Sequence, residues 1–359
     1  MNILITGNMG YVGPGVAAHL REVFPEARLV GVDNGWFAHC LTSHNILPEI
    51  ALDEQWFRDV RSLQVEDLKG FDAIVHLAAV SNDPMGNRFE AVTDTINRQA
   101  SIRLAELAVD AGVRRFVFAS SCSVYGVAED GRARSEQDAV NPLTAYARSK
   151  IGTEEGLLQL KRNNLVTTSL RFATACGISD RLRLDLVLND FVAAALATGT
   201  ISVLSDGTPW RPLIHVKDMA RAIEWALVRE ADENGDFLRI NVGSDEWNYQ
   251  VRDLAHAVAR ILGGIDVSIN AEAPPDRRSY RVDFGLYRQR APKHQPQETL
   301  DSTIAGLRDG LRAIKFSDPE FRQSNLIRLR VLERHLESQA LAEDLRWRRK
   351  EIIPDGIAA

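Results

Sequence analysis

The stretch MNILITGNMGYVGPGVAAHL, Met1–Leu20, decides the fold. It opens with an apolar burst and then places Gly7, Gly10 and Gly13 in one short turn. Glycine costs backbone entropy, so three at regular spacing need a reason. Asn2–Thr6 reads as a short buried strand, and Val12–Leu20 carries apolar residues at helical spacing. Between them the chain must turn sharply, let something approach its backbone, and seat the helix tightly on the strand. A dinucleotide pyrophosphate resting on a helix N-terminus demands all three. Glycine-rich turns also join strands to helices for other reasons, so the turn alone leaves the ligand open.

Working outward, Arg28–Asp33 reads as a second strand that ends on a carboxylate about twenty residues beyond the glycines. Such a carboxylate accepts hydrogen bonds from adenosine ribose hydroxyls and repels a 2′-phosphate, which favours NAD over NADP. The competing reading of Asp33 is a turn residue in "DNG". Phe71–Ala79 is another strand, Phe89–Ala111 a helix stopped by Gly112, and Val113–Ser121 a fourth strongly apolar strand. A helix over Thr144–Lys161 and a strand over Leu165–Thr174 follow. This alternation predicts an α/β, doubly wound parallel (Rossmann) sheet, with ligand crevices at strand C-termini.

The second half is less regular. Asp185–Leu196 and Val251–Leu262 read as helices, and Ile201–Leu204 and Pro212–Val216 as short strands, which predicts a smaller, mixed α/β substrate lobe. From Phe321 to Arg348, Leu326, Leu329, Leu332, Leu336, Leu341 and Leu345 fall near one helical face. That face docks on its own subunit or forms an oligomer contact. The expected division is 1–175 for the cofactor domain with some later segments returning to it, 176–285 for the substrate lobe, and 286–359 for a helical extension.

Composition bounds the class. The 359 residues are 45% hydrophobic and 26% charged, with a formal charge of −6 and a pI near 5.8. Nucleic-acid binding needs a basic face, and this balance offers none. Cys40, Cys122 and Cys176 lack metal-type spacing, so no metal is expected, and their odd number fits a reducing compartment. No leader-like start and no run of transmembrane length is seen. The expectation is a soluble cytoplasmic protein without a membrane partner.

Further pieces then align. "TGNMGYVG" resembles the TGxxGxxG turn of the extended short-chain dehydrogenase/reductase family, and within it the NAD-dependent nucleotide-sugar epimerases and dehydratases. "FRDVRS", "VHLAA" and Asn97 follow in family-like order, and the likeness extends from about Met1 to Asp283. The resemblance implies a cofactor shell of Gly7, Gly10, Tyr11, Val12, Gly13, Asp33, Asn34, Asp59, Val60, Leu77, Ala78, Ala79, Asn97, Ser120, Tyr146 and Lys150. It also implies a homodimer through helices beside the YxxxK helix.

The chemistry is expected in "ASSCSVYG", at a strand end, and in "YARSK", which puts Tyr146 and Lys150 four apart on one helix face. A phenol near ~10 is a poor base at neutral pH, and a nearby ammonium lowers it. So tuned, Tyr146 takes the proton of a sugar hydroxyl, with Ser121 hydrogen-bonding the same oxygen. The bland alternative is a surface tyrosine–lysine pair. In 4,6-dehydratases of the family an acid pair follows the Ser/Thr; here stand Cys122 and Ser123, which disfavours that elimination. Cys122 is either a reactive thiol or a small buried filler.

"RFATACG" departs from the family's "RYFNVYG", leaving Thr174 where a substrate-contacting Asn is common. Ser81, Asn82 and Asp83 suit sugar hydroxyls, although "NDP" is equally a turn. The resemblance places Arg211 and Arg278 against a nucleotide diphosphate, with Asn189 a further nucleotide contact. The expected activity is NAD-dependent epimerisation of a nucleotide-diphosphate sugar. The alternatives are a 4-keto sugar reductase, a dehydratase by another route, and a non-catalytic dinucleotide sensor.

Overall fold

The computed structural model describes residues 1–348 apart from 43–45, 128–130, 162, 232–235 and 274–278. The apolar burst becomes β1 (Asn2–Thr6), with Ile3, Leu4 and Ile5 fully buried, and the glycine turn feeds α1 (Gly13–Val23). Next come β2 (Arg28–Asp33), β3 (Glu54–Phe57), the single turn α2 (Val65–Leu68) and β4 (Ala73–His76). Helices α3 (Asp83–Arg88), α4 (Glu90–Thr93) and α5 (Ala100–Asp110) then run almost without break, with a widened π turn at Asp94–Gln99. β5 (Arg115–Ser121), α6 (Ala145–Gln159) and β6 (Val166–Phe172) follow. Thr144 starts α6 by accepting the Ala147 N–H at 3.2 Å, which satisfies one of the orphan donors of the first turn.

The second half contains β7 (Thr174–Cys176), α7 (Val187–Thr198), β8 (Thr200–Val203), β9 (Trp210–His215) and α8 (Val216–Val228). It continues with β10 (Phe237–Val242), β11 (Asn248–Gln250), α9 (Val251–Leu262) and β12 (Asp266–Ile269). The main sheet has seven strands in the order β10-β6-β5-β4-β1-β2-β3, all parallel. Strand order reverses at β1/β4, and there a doubly wound sheet opens its crevice. β11-β9-β7 and β12-β8 make two small sheets of the lobe.

Two main-sheet strands escaped the pattern reading. β3 is an edge strand whose "EQWF" has no buried residue, and β10 mixes Arg239 and Asn241 with apolar positions. Periodicity cannot separate such mixed segments from loop. The expected strand at Pro212–Val216 starts earlier, at Trp210, and Val216 already opens α8.

The C-terminal region forms α10 (Gly285–Arg290), α11 (Leu300–Ala313) and α12 (Arg328–Glu337). The single helical face expected from Phe321 to Arg348 is interrupted. A short 3₁₀ turn at Phe321–Gln323 precedes α12, and left-handed backbone at Gln339 (φ 56°) and Leu345 (φ 59°) turns the chain back after it. Leu332, Leu341 and Leu345 are nonetheless fully buried against the N-terminal half, with Leu329 and Leu336 beside them. Burial of each leucine contributes up to ~1.5–3 kcal/mol, so these residues dock the segment on its own subunit. No helix among the described residues is long and apolar enough to cross a membrane.

Candidate active site

The glycine corner is built by close approach. Gly7 sits at φ 76°, and a Cβ there would come within 2.5 Å of the Ala78 amide. A Cβ on Gly13 would collide with the Asn8 carbonyl, whereas one on Gly10 would meet only Gly7 O, at 3.2 Å. Gly7 and Gly13 therefore let β1, β4 and α1 pack together, while the backbone at Gly10 stays approachable. Val12, just before α1, caps it with no side chain, so the first-turn N–H groups, Pro14 having none, take no cap from it and face a ligand's approach. At the end of β2, Asp33 Oδ1 accepts the Gly35 N–H (2.8 Å) and Oδ2 the Met9 N–H (3.1 Å). Asp33 closes its own turn, as "DNG" suggests, and it also lines the cleft. Burial pushes its carboxyl up, and the two amide bonds pull it back.

The cleft has a volume of about 920 Å³, within the range of small-molecule sites. It runs from Gly7, Gly10, Tyr11, Val12 and Gly13, past Asp33, Asn34, Asp59 and Val60, to Leu77, Ala78, Ala79 and Ser120. At its far end lie Ser121, Ser123, Tyr146, Lys150 and Thr174, with Ser81, Asn82 and Arg211 on the lobe side.

The floor at that end joins β5 to α6 through three consecutive strand residues. Ser121 hydrogen-bonds the Tyr146 phenol. Ala119 O accepts the Lys150 ammonium at 2.7 Å, and Ser120 Oγ donates to Glu154 Oε1 at 2.6 Å. Tyr146, Lys150 and Glu154 are spaced by four, so they share one helix face. Glu154 is fully buried and held by Arg171 Nη2 at 2.6 Å, so its charge is paired in a dry setting. Burial lowers Lys150 to about 7, with Glu154 pulling it back up. The ammonium also lies 4.7 Å from the Phe118 ring centre and 5.5 Å from that of Tyr146. Burial pushes Tyr146 up to about 12, against the Ser121 hydrogen bond. Desolvation thus dominates at the phenol, and what pulls it back down is the Ser121 hydrogen bond and the Arg183 charge rather than the expected lysine.

On the lobe side, Arg183 forks onto Asp185 through Nε (2.7 Å) and Nη2 (2.9 Å), and Nη1 donates to Ser81 Oγ at 3.0 Å. Asn82 Nδ2 donates to the same carboxylate at 2.7 Å from backbone at φ 145°. Asp83 Oδ1 accepts the Thr144 hydroxyl at 2.7 Å, which ties α3 to the start of α6. Arg183 and Asp185 were missed in the sequence. "RLRLD" matches no motif, and its only signal is charge alternating with apolar residues just before a helix.

Three expected site residues serve the fold instead. Asn97 is buried, where it clamps both backbone groups of Val80 (2.8 and 2.9 Å) and reaches Ser149. Asn189 is fully buried between Gly177 N, the Tyr11 hydroxyl and Arg183 O. Cys122 is fully buried, donates its thiol to Arg171 O at 3.0 Å, and is pushed up by that burial; it is the filler, not the reactive thiol. Residue type marked Asn97 and Asn189 as polar positions, and their side chains are taken up by hydrogen bonds inside the fold. Arg278 lies outside the described residues.

A doubly wound sheet whose crevice joins a glycine corner to a Ser–Tyr–Lys floor has the architecture of an extended short-chain dehydrogenase/reductase. Comparison with known proteins narrows this. The NAD dependent epimerase/dehydratase family model matches residues 3–243. A UDP-glucose 4-epimerase of Mycolicibacterium smegmatis is 30% identical over 320 residues, covering 85% of this chain and 96% of its own. An uncharacterised UDP-glucose epimerase of Bacillus subtilis is 29% identical over 243 residues, 63% of this chain and 72% of its own. Among solved structures, MoeE5 in complex with UDP-glucose and NAD superposes with a TM-score of 0.73 at 26% identity, covering 87% of this chain and 99% of that one. The chain belongs to the NAD dependent epimerase/dehydratase family, and is an enzyme of that class. The backbone open at Gly10, the uncapped start of α1 and the carboxylate at Asp33 fit the family's cofactor.

Proposed function

We propose that this chain is a nucleotide-sugar epimerase that works through a transient keto sugar and keeps NAD as its cofactor. The observation that carries the reading is the Ser121–Tyr146–Lys150 floor followed by a buried Cys122 and by Ser123, with no acid pair to expel water. Residues 1–175 with β10 hold the dinucleotide, and residues 176–285 supply the sugar-nucleotide side. NAD, when bound, supplies a nicotinamide carbon that accepts and returns a carbon-bound hydride. Ser121 and Tyr146 hold the reacting sugar hydroxyl between them. Tyr146, as the phenolate, takes the hydroxyl proton as the ketone forms and returns it to the same sugar oxygen, and the configuration inverts because the ketone turns its other face before it is reduced. Lys150, one turn on, stabilises the phenolate that is there before the proton is taken. Asp33 selects against a 2′-phosphate. Arg211 offers a guanidinium to the substrate diphosphate, while Asp83, Asn82 and the Arg183–Asp185 pair face the sugar hydroxyls. A homodimer through α5 and α6 belongs to the same reading.

The test is incubation of purified protein with a panel of UDP-, dTDP- and GDP-sugars, followed by chromatography and NMR. The expected result is a C-epimer from at least one substrate without net change in NADH absorbance. A 4-keto-6-deoxy product, or no product from any substrate, overturns the epimerase reading.

A further inference from the structure

The segment beyond Phe284 has no counterpart in the motif reading, yet it reaches the cleft. Arg328, Leu329 and Arg330 line the same space as the glycine corner, Asp33 and Asp59. The segment crosses that mouth and is fixed on both sides of it. Towards the substrate lobe, Arg322 forks onto Asp190 (2.9 and 2.7 Å), and Leu326 O accepts the Leu184 N–H at 2.8 Å. The fully buried Arg328 donates to the carbonyls of Arg181 (2.6 Å) and Leu182 (3.2 Å) and lies 5.0 Å over the Phe37 ring.

Towards the Rossmann sheet, the contacts fall on the loops after β2 and β3. Trp36 Nε1 donates to Leu345 O (3.1 Å), and Trp347 Nε1 donates to Asn34 O (2.5 Å). His335 Nε2 lies 3.1 Å from Trp36 O, and Arg61 donates to Asp344 O at 2.8 Å. Asn34 follows the ribose-end carboxylate Asp33, and Arg61 is the fork partner of Asp59. α12 also packs on α3, the helix after β4. The loops after β2, β3 and β4 are therefore bridged by one piece of chain above the crevice, and a cation, Arg330, stands on that piece. It pairs with Glu333 at 2.8 Å, and its side chain remains 41% exposed.

We propose that Arg322–Trp347 is a wall of the dinucleotide site, closed over the adenosine and diphosphate portion, with Arg330 as its contact to the bound dinucleotide. The proposal rests on the reading of the cleft as the NAD site. A dinucleotide beneath this wall leaves only after contacts to the β2 and β3 loops break. The cofactor is therefore resident from one turnover to the next. Residence suits a cycle in which the oxidised cofactor is regenerated on the same substrate. An enzyme with net oxidation or reduction must exchange it each time.

The test uses full-length protein loaded with NAD, with dinucleotide release followed by rapid gel filtration and chromatography, and affinity by calorimetry. Trp347→Ala removes one anchor at a side chain that is 41% exposed, and Arg330→Gln removes only the cation. Wild type is expected to retain NAD through gel filtration. Trp347→Ala should release it at least tenfold faster, and Arg330→Gln should weaken affinity several-fold with an unchanged melting temperature in the absence of NAD. Equal release and affinity in all three proteins overturn the wall while leaving the functional reading intact. Absence of NAD binding to wild type overturns both. Should Trp347→Ala fail to fold, the affinity of Arg330→Gln decides.

Discussion

The two ends of the cleft are made by opposite means. At the glycine corner the chain contributes by leaving side chains out: a missing Cβ at Gly7 and at Gly13 lets backbone meet backbone. At the β5–α6 floor it contributes three polar side chains, Tyr146, Lys150 and Glu154, each bound to one of three successive strand residues. The corner works by shape and by amide dipoles that exist in any residue's backbone. The floor works by charges brought into a dry setting, where each is worth more and is harder to replace. Substitutions at the floor should therefore strike turnover and its pH dependence, whereas those at the corner should strike binding and stability.

The largest expected effect is at the floor. Tyr146→Phe should lower kcat by about two to four orders of magnitude, the range for a removed acid–base group, with substrate and NAD affinity little changed. Single-turnover kinetics checks this, and a loss below tenfold would blur the contrast between the ends.

Lys150 gives the next effect, through pH. Burial holds its ammonium down to about 7, below the ordinary 10.5 of a lysine in water. Between these values the unfolded chain holds a proton that the folded chain has shed, so stability gains as pH rises from about 7 towards 10.5. Below 7 the cost of burying the ammonium is fully present. The stability of wild type minus that of Lys150→Met, from denaturant unfolding at several pH values, should grow across this window; a flat difference would remove the charge argument.

The smallest of the three is at the corner. Gly13→Ala forces a methyl onto the Asn8 carbonyl and should cost ~1–3 kcal/mol of stability. NAD affinity, measured by calorimetry, should fall while kcat at saturating NAD changes less than in Tyr146→Phe. The reverse pattern would erase the distinction.

Most of the Rossmann half was legible in the sequence because its strands are buried on both faces and so read as unbroken apolar runs. β1, β2, β4, β5 and β6 fall within or beside the expected segments, and Gly112, at φ 77°, ends its helix as its residue type demands. β3 and β10 were hidden because one is an exposed edge and the other alternates with polar residues. The cleft-lining set was legible wherever a motif fixed both spacing and direction, as at Gly7–Gly13 and Tyr146–Lys150. For Asn97 and Asn189 the residue type showed polarity but not facing, and for Cys122 the burial that selects the filler reading needed the fold. Arg183 and Asp185 reach the cleft without a motif, through contacts more than a hundred residues apart in the chain, and the periodicity around Arg330 showed an apolar face but not what its polar side would meet.

The matched spacing of Ser121, Ala119 and Ser120 against Tyr146, Lys150 and Glu154 has a further consequence. Sliding α6 by a single residue along β5 would undo all three attachments together, so the reactive pair cannot be adjusted in small steps. The loops that carry Ser81–Asp83 and Arg183–Asp185 are under no such constraint. New sugar preferences in descendants of this chain should therefore accumulate in those loops, above an apparatus that is inherited whole or lost.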